Sequence, residues 1–312
     1  AFNRENRVPY LKVIVLMSLF TFVFLGAEFL FVNMISRIVS GHRSVAAQNY
    51  ALGVSAVGFV LYPLLCRFCK GNAQTSVSVC AAVISNACLF LMCRSGSYTL
   101  TLIAGLLLFL ILGVFGSAVF YKSLCLLEDN THIARLTGIS YMLGTMLQIA
   151  NSNLVHIDIA EAAILSVFIM LLALMLIRAE KNSVVPALSK SESDGGNGRE
   201  SLKISVILVF FVALMTCIFS TLDNAVTLIH ASGEANIGQW PRVLLALSGL
   251  FAGFLFDTAS RKYMSIVMYC ITVLSTTCLV ILQFAGSFTV GLVIFYLAAG
   301  FFAVFFTVSF ME

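Results

Sequence analysis

The sequence predicts an all-α, polytopic membrane helix bundle, and three observations predict it. Of 312 residues, 60% are hydrophobic and only 10% are charged, against roughly 25% charged in ordinary globular chains. A soluble chain of this length needs more charge than that to cover its surface. The few charges are bunched, leaving uncharged apolar runs long enough to cross about 30 Å of hydrocarbon. Lys and Arg, finally, fall unevenly on alternate sides of those runs.

Charge and turn residues delimit ten spans. Span one (13–36) follows Arg4, Arg7 and Lys12 and stops at Arg37. Span two (48–65) lies between Arg43 and Arg67, span three (74–93) between Lys70 and Arg94. Span four (99–121) runs from Ser97 to Lys122, and span five (136–155) begins after Arg135. Span six (160–178) closes on Arg178. Residues 179–202 form a linker whose Ser189-to-Gly198 stretch is polar and Gly/Ser-rich, the composition of a flexible connector. Beyond it come span seven (203–229), span eight (240–256) before Asp257, span nine (263–283) after Arg261-Lys262, and span ten (288–310).

With these spans, Arg4, Arg7, Lys12, Arg67, Lys70, Lys122, Arg135, Arg178, Lys181, Lys190, Arg199, Lys203, Arg261 and Lys262 lie on one side. Only Arg37, Arg43, Arg94 and Arg242 lie on the other. The positive-inside rule then predicts a cytoplasmic N-terminus and linker, and a multi-pass protein of the cell's inner membrane. In such a chain the net charge of +4 is topological and carries no nucleic-acid signal. Nine Cys, odd in number and mostly within spans, read as small apolar residues; Cys66-Arg-Phe-Cys69 has redox spacing without a redox context.

An internal repeat divides the chain. At an offset of 195, Thr21 to Glu28 aligns with Thr216 to Asp223, and Gly58-Phe59-Val60-Leu61 with Gly253-Phe254-Leu255-Phe256. At an offset of 190, Val77, Cys80, Val83, Ser85, Cys88 and Leu89 fall on Val267, Cys270, Val273, Ser275, Cys278 and Leu279, and Ser97-Tyr98-Thr99 falls on Ser287-Phe288-Thr289. The expected organisation is a six-helix half (1–178), a cytoplasmic linker (179–202), and a second half (203–312) with four of its six spans. Spans eleven and twelve are expected in a longer chain, of which this sequence, opening on Ala1, is read as a fragment.

Two parallel six-helix halves joined by a cytoplasmic linker resemble the major facilitator superfamily. Gly253-Phe-Leu-Phe-Asp257-Thr-Ala-Ser260-Arg261-Lys262 is similar to that family's cytoplasmic loop signature, with Ser260 where Gly is usual. The resemblance implies a cytoplasmic gate in which Asp257, Arg261 and Lys262 hold helix ends together. In the first half the corresponding acid is Tyr62 and the second Gly is Leu65, so that copy is degraded. A narrower resemblance runs through Thr221-Leu-Asp223-Asn224, Ile237 to Arg242, Phe295 to Phe306, and His132 to Gly144. These look like the membrane domain of bacterial LuxR-type regulators, in which a C-terminal helix-turn-helix domain follows the bundle.

Two acids sit deep in the predicted spans, Glu28 and Asp223, and the repeat makes them symmetry mates. A charge at the bilayer centre costs about 2.5–3.5 kcal/mol on insertion scales, so such residues face a cavity or a partner. Glu28, Asp223, Asn224 and Asn33 are the candidate ligand- or proton-binding residues, suited to proton coupling or to capture of a cationic solute; structural hydrogen-bonded carboxyls are the alternative. Arg37, about 13 Å along span one from Glu28, is a possible partner for it. Gln148, Asn151 and Asn153 are expected to bond between helices more than to a ligand, with Asn151 and Asn153 pointing apart. Gly249-x-x-x-Gly253 reads as close helix packing.

No nucleotide-binding loop, hydrolytic residue set or metal-ligand spacing is present, so neither enzyme activity nor a cofactor or metal is expected. The expected partners are the lipid bilayer and a small molecule, with nucleic acid reached only through a domain beyond residue 312. Two functions remain open: translocation of a small organic solute by alternating access, or ligand sensing for a LuxR-type regulator.

Overall fold

In a computed structural model, the structure describes residues 7–39, 41–68, 72–127, 132–182, 240–258, 266–274, 277 and 288–311. Among them there are helices and short connections and no strand. Six helices form the first half: α1 (Arg7–Ile38), α2 (His42–Phe68), α3 (Asn72–Arg94), α4 (Tyr98–Leu126), α5 (Ile133–Leu154) and α6 (Asp158–Asn182). From the second half come α7 (Trp240–Thr258), α8 (266–274) and α9 (Phe288–Met311). Predicted span seven, with Asp223 and Asn224, lies outside the described residues, as do Arg261, Lys262 and the linker from residue 183.

α1 to α4 and α6 extend past the predicted spans at both ends because a helix does not end where the hydrocarbon does. α1 opens six residues early, with Pro9 in its first turn, where a missing N–H breaks no helical bond. α2 carries Pro63 within its length, so the Phe59 carbonyl loses its usual donor. The reversals between α1 and α2 and between α3 and α4 use Gly41 and Gly96, both at positive φ (60° and 55°) that a side chain would disfavour.

Among the described residues five helices, α1 to α4 and α6, are long and apolar enough to cross a membrane. Their outward faces are apolar too. Val57, Val60, Leu64 and Phe68 on α2, Leu100, Ile103 and Leu107 on α4, and Val167, Leu171 and Leu174 on α6 recur at three- and four-residue steps, each at least 41% exposed. Water would not tolerate several such stripes on one molecule; lipid tails solvate them. The chain is a polytopic α-helical membrane protein.

α1 runs through the middle of the first half, touching each of its other helices. Val13, Val23, Ala27, Leu30, Phe31 and Ile35 are fully enclosed. Phe20 meets Phe59 and Phe120, and Phe109 meets Phe24 and Phe31, with ring centroids 5.6–6.4 Å apart and mostly edge-on. α5, less apolar than its neighbours, packs against α1 and α7 and leaves Leu143, Leu147 and Leu154 on an exposed face.

Small residues set the closest crossings. α2 and α4 meet where a Cβ on Gly58 would strike the Leu110 carbonyl and one on Gly113 the Ser55 carbonyl. α7 and α9 meet at Gly300, which a Cβ would put 2.6 Å from the Leu245 carbonyl. The repeat sets α2 on α7 and α4 on α9, so the same helix pair recurs. Its glycines do not: Gly58 faces α4, whereas its mate Gly253 faces α5. There a Cβ would lie 2.6 Å from the Ala134 carbonyl and 2.8 Å from Gly138 Cα. The Gly249-x-x-x-Gly253 step therefore holds α7 against the first half, with Gly249 beneath the Tyr141 ring.

Candidate functional site

Glu28 sits on the part of α1 that faces α2, α5 and α7. Gln48 of α2 donates from Nε2 to Glu28 Oε1 at 2.9 Å. From the second half, Arg242 in the first turn of α7 lies over the Phe29 ring, its guanidinium carbon 4.5 Å from the centroid. Glu28, Gln48 and Arg242 thus bring α1 and α2 beside the first turn of α7.

Glu161 is 4% exposed, and its Oε1 has no hydrogen-bond partner. It was passed over in the sequence because it lies in the first turn of its helix, a position expected at the bilayer surface. α6 packs there against α1 and α3, which encloses it. Asp158, one turn earlier, is engaged: Arg37 grips it with both terminal nitrogens, at 2.5 and 3.0 Å. Arg37 therefore does not serve Glu28, from which it is too distant along α1, and its partner comes from the next helix end instead.

Asn33 is partly buried five residues beyond Glu28, turned from it by roughly 140° about the helix axis. The two side chains leave α1 in different directions. On α5, Asn151 is buried and Asn153 exposed, as a two-residue step on a helix requires. Gln148 and Asn151 lie one turn apart, each buried, and each with an amide nitrogen that lacks a partner.

A second charged contact joins the halves at the far end of α7. Asp257, with 3% of its side chain exposed, lies 3.3 Å from Arg135 Nε and 3.4 Å from His132 Nδ1, both at the start of α5. Arg135 also covers the Phe254 ring at 5.1 Å, and His132 meets Tyr10 of α1 edge-on. The resemblance implies that Asp257 holds helix ends together with Arg261 and Lys262; among the described residues its partners are His132 and Arg135 at the start of α5. Tyr62, at the equivalent place in the first half, is buried and packs against Tyr121 of α4, 6.3 Å between centroids, within its own half. Lys122 nearby donates from Nζ to the Leu176 carbonyl at 2.9 Å, tying α4 to α6.

Sequence reasoning missed Arg242, Gln48 and Arg135 as site residues. In the sequence Arg242 and Arg135 register as topological charges and as members of the runs that resemble LuxR-type membrane domains, not as site residues. Gln48 opens predicted span two, and nothing in its neighbours marks it as Glu28's donor.

The fold and these contacts define a class, a polytopic α-helical membrane bundle in which α7 makes charged contacts with α1 and α5. No protein-family model matches this chain, and no curated protein matches it.

Proposed function

We propose that the protein is a major-facilitator-like membrane protein that binds a small organic solute between its halves and translocates it by alternating access. One observation carries this reading. α7 makes a charged contact with the first half at each end, through Arg242 in its first turn and Asp257 in its last. Between them lies the tight glycine crossing with α5. A rigid helix pivoting at a close-packed crossing closes one end as it opens the other, which is what alternating access needs. In this reading Glu28 lines the enclosed space, with Asp223 and Asn224 as the second half's contribution. Asp257, Arg261 and Lys262 belong to the cytoplasmic gate, and the protein lies in the inner membrane with its N-terminus in the cytoplasm.

Two spin-label pairs test it. One joins Ser36 and Val243 at the Arg242 end; the other joins Leu11 and Leu255 at the Asp257 end. Alternating access requires their distance distributions in nanodiscs to change in opposite senses between conditions. Both ends opening together, or neither moving, would overturn the proposal.

A second reading has an observation of its own. The first half lacks an acid at Tyr62, which turns inward to Tyr121, so the two halves are not equivalent at their gates. That asymmetry suits a ligand sensor of the LuxR-type regulator kind, in which the membrane bundle signals to a DNA-binding domain. Ligand-induced movement at the Asp257 end without solute accumulation in proteoliposomes would favour it.

A further inference from the structure

We propose that Gln148 and Asn151 of α5 form, with Arg242 of α7, a seat for the carboxylate of a small organic acid. The inference rests on the reading that α7 and the first half enclose a solute site, and it names the solute's chemistry.

The two amides carry the inference. Each side chain is more than nine-tenths buried, and neither Gln148 Nε2 nor Asn151 Nδ2 has an acceptor among the described residues. A buried N–H without an acceptor is costly. Two of them, one turn apart on the same helix, mark a place where an acceptor from outside the chain belongs.

The helix crossings set the level of these amides. α1 and α5 run side by side in the same direction: Tyr10 meets His132 near their starts, and Gly144 packs on Ser18 and Thr21 further along. α7 runs against α5, since Gly253 packs on Gly138 and Gly249 on Tyr141. Seven residues are nearly two full turns, so such a step keeps the same helix face and moves about 10 Å along the axis. From Thr21 that step reaches Glu28; from Gly144 it reaches Asn151, and from Tyr141 it reaches Gln148. From Gly249, taken backwards, it reaches Arg242. These four residues therefore share one level where α1, α5 and α7 pack together. The Arg242 guanidinium on the Phe29 face agrees with that register.

α1 is central, yet Thr21, Leu25, Glu28 and Val32, which share one of its faces, keep part of their surface open. Glu28 accepts from Gln48 on Oε1 and bonds neither amide of α5. The acid and the amides are level but unbonded, which leaves room for a group between them. Both open groups on α5 are donors, and α7 adds a positive charge, so the missing group is an acceptor with negative charge. A ring contact uses the face of a guanidinium, and carboxylates bind at its edge. A carboxylate, with two oxygens for two amides, fits that description; an ammonium does not.

The test uses the purified protein in nanodiscs, with benzoate as probe, benzylamine as its counterpart of opposite charge and empty nanodiscs as the blank. Binding is read by calorimetry, and benzoate should bind while benzylamine should not. Gln148→Met and Asn151→Leu keep side-chain size and remove the donors, so each should weaken benzoate about tenfold or more. Arg242→Gln should weaken it likewise, whereas Glu28→Gln, which removes an acid at the same level, should tighten it. Thermal unfolding separates the seat from a structural role. Removing a buried amide that has no partner leaves the unfolding midpoint unchanged or raises it. A lowered midpoint or loss of folding in either amide variant would show that the amides hold helices together, and it overturns the proposal. So does a failure of benzoate to bind, equal binding of benzylamine, normal benzoate binding by the amide variants, or weakened binding in Glu28→Gln. Binding is read at equilibrium and the spin-label distances read movement, so the seat and the translocation mechanism can fail separately.

Discussion

Asp257 and Arg37 show how differently two ion pairs act when their surroundings differ. Arg37 is 61% exposed beside Asp158, and an exposed pair of this kind is worth about 0–1 kcal/mol. Arg37→Gln should therefore leave the detergent unfolding midpoint almost unchanged. Asp257 is enclosed, and its loss leaves Arg135 and His132 facing each other without the anion between them. Asp257→Asn should destabilise the protein by about 1–3 kcal/mol, and a double-mutant cycle with Arg135→Gln should return a clear coupling energy. Additive effects would mean that the two residues act separately. For the intramembrane acids the expectation is reversed in sign. Glu28→Gln and Asp223→Asn each remove a group that is costly in hydrocarbon, so insertion and folding should survive while ligand binding changes. Loss of folding in one variant with no effect in the other, measured by yield and elution profile, would separate the two acids.

The helix crossings make sharper demands than the apolar runs do. Gly253 admits no side chain, because a Cβ there meets the Ala134 carbonyl and the Gly138 backbone, neither of which is a flexible side-chain end. Gly253→Ala should push α5 and α7 apart and cost about 1–3 kcal/mol, the usual range for overpacking. Gly53, on the same kind of helix but with open space around it, should accept Ala with little effect. A thermal unfolding comparison of the two variants checks this directly. The phenylalanines of α9 follow the same logic of partner over composition. Phe301 and Phe305 both meet Phe256 of α7, 6.0 and 6.3 Å between centroids, and so join the two helices.

At the scale of the molecule, the connections alternate between two ends. The Arg37–Asp158 pair joins the end of α1 to the start of α6, while Asp257, Arg135 and His132 meet where α7 ends and α5 begins. Single-cysteine probes extend this to the membrane. One near Lys190 should label only from the cytoplasmic side and one near Ala235 only from outside. Labelling of both from the same face would remove the ten-span topology.

The sequence by itself determined that this is an all-helical membrane protein, because hydropathy over about 20 residues is a local property that needs no partner to be read. It also located Glu28 and Asp257 as notable, since an acid within or beside an apolar run stands out against its neighbours. Only the tertiary structure decided what those acids touch. Arg242 and Arg135 lie in the first turns of their helices and Gln48 in the second turn of α2, where polarity is ordinary, and their roles arise from which helices are brought together. Glu161 shows the same limit from the other side: a first-turn acid looks solvated in the sequence and becomes enclosed only when α1 and α3 pack over it. Even the repeat, legible as spaced identities, left open whether Gly58 and Gly253 would face equivalent neighbours. They do not, because one crosses a helix of its own half and the other crosses α5, and the direction a helix face turns is set by the whole bundle.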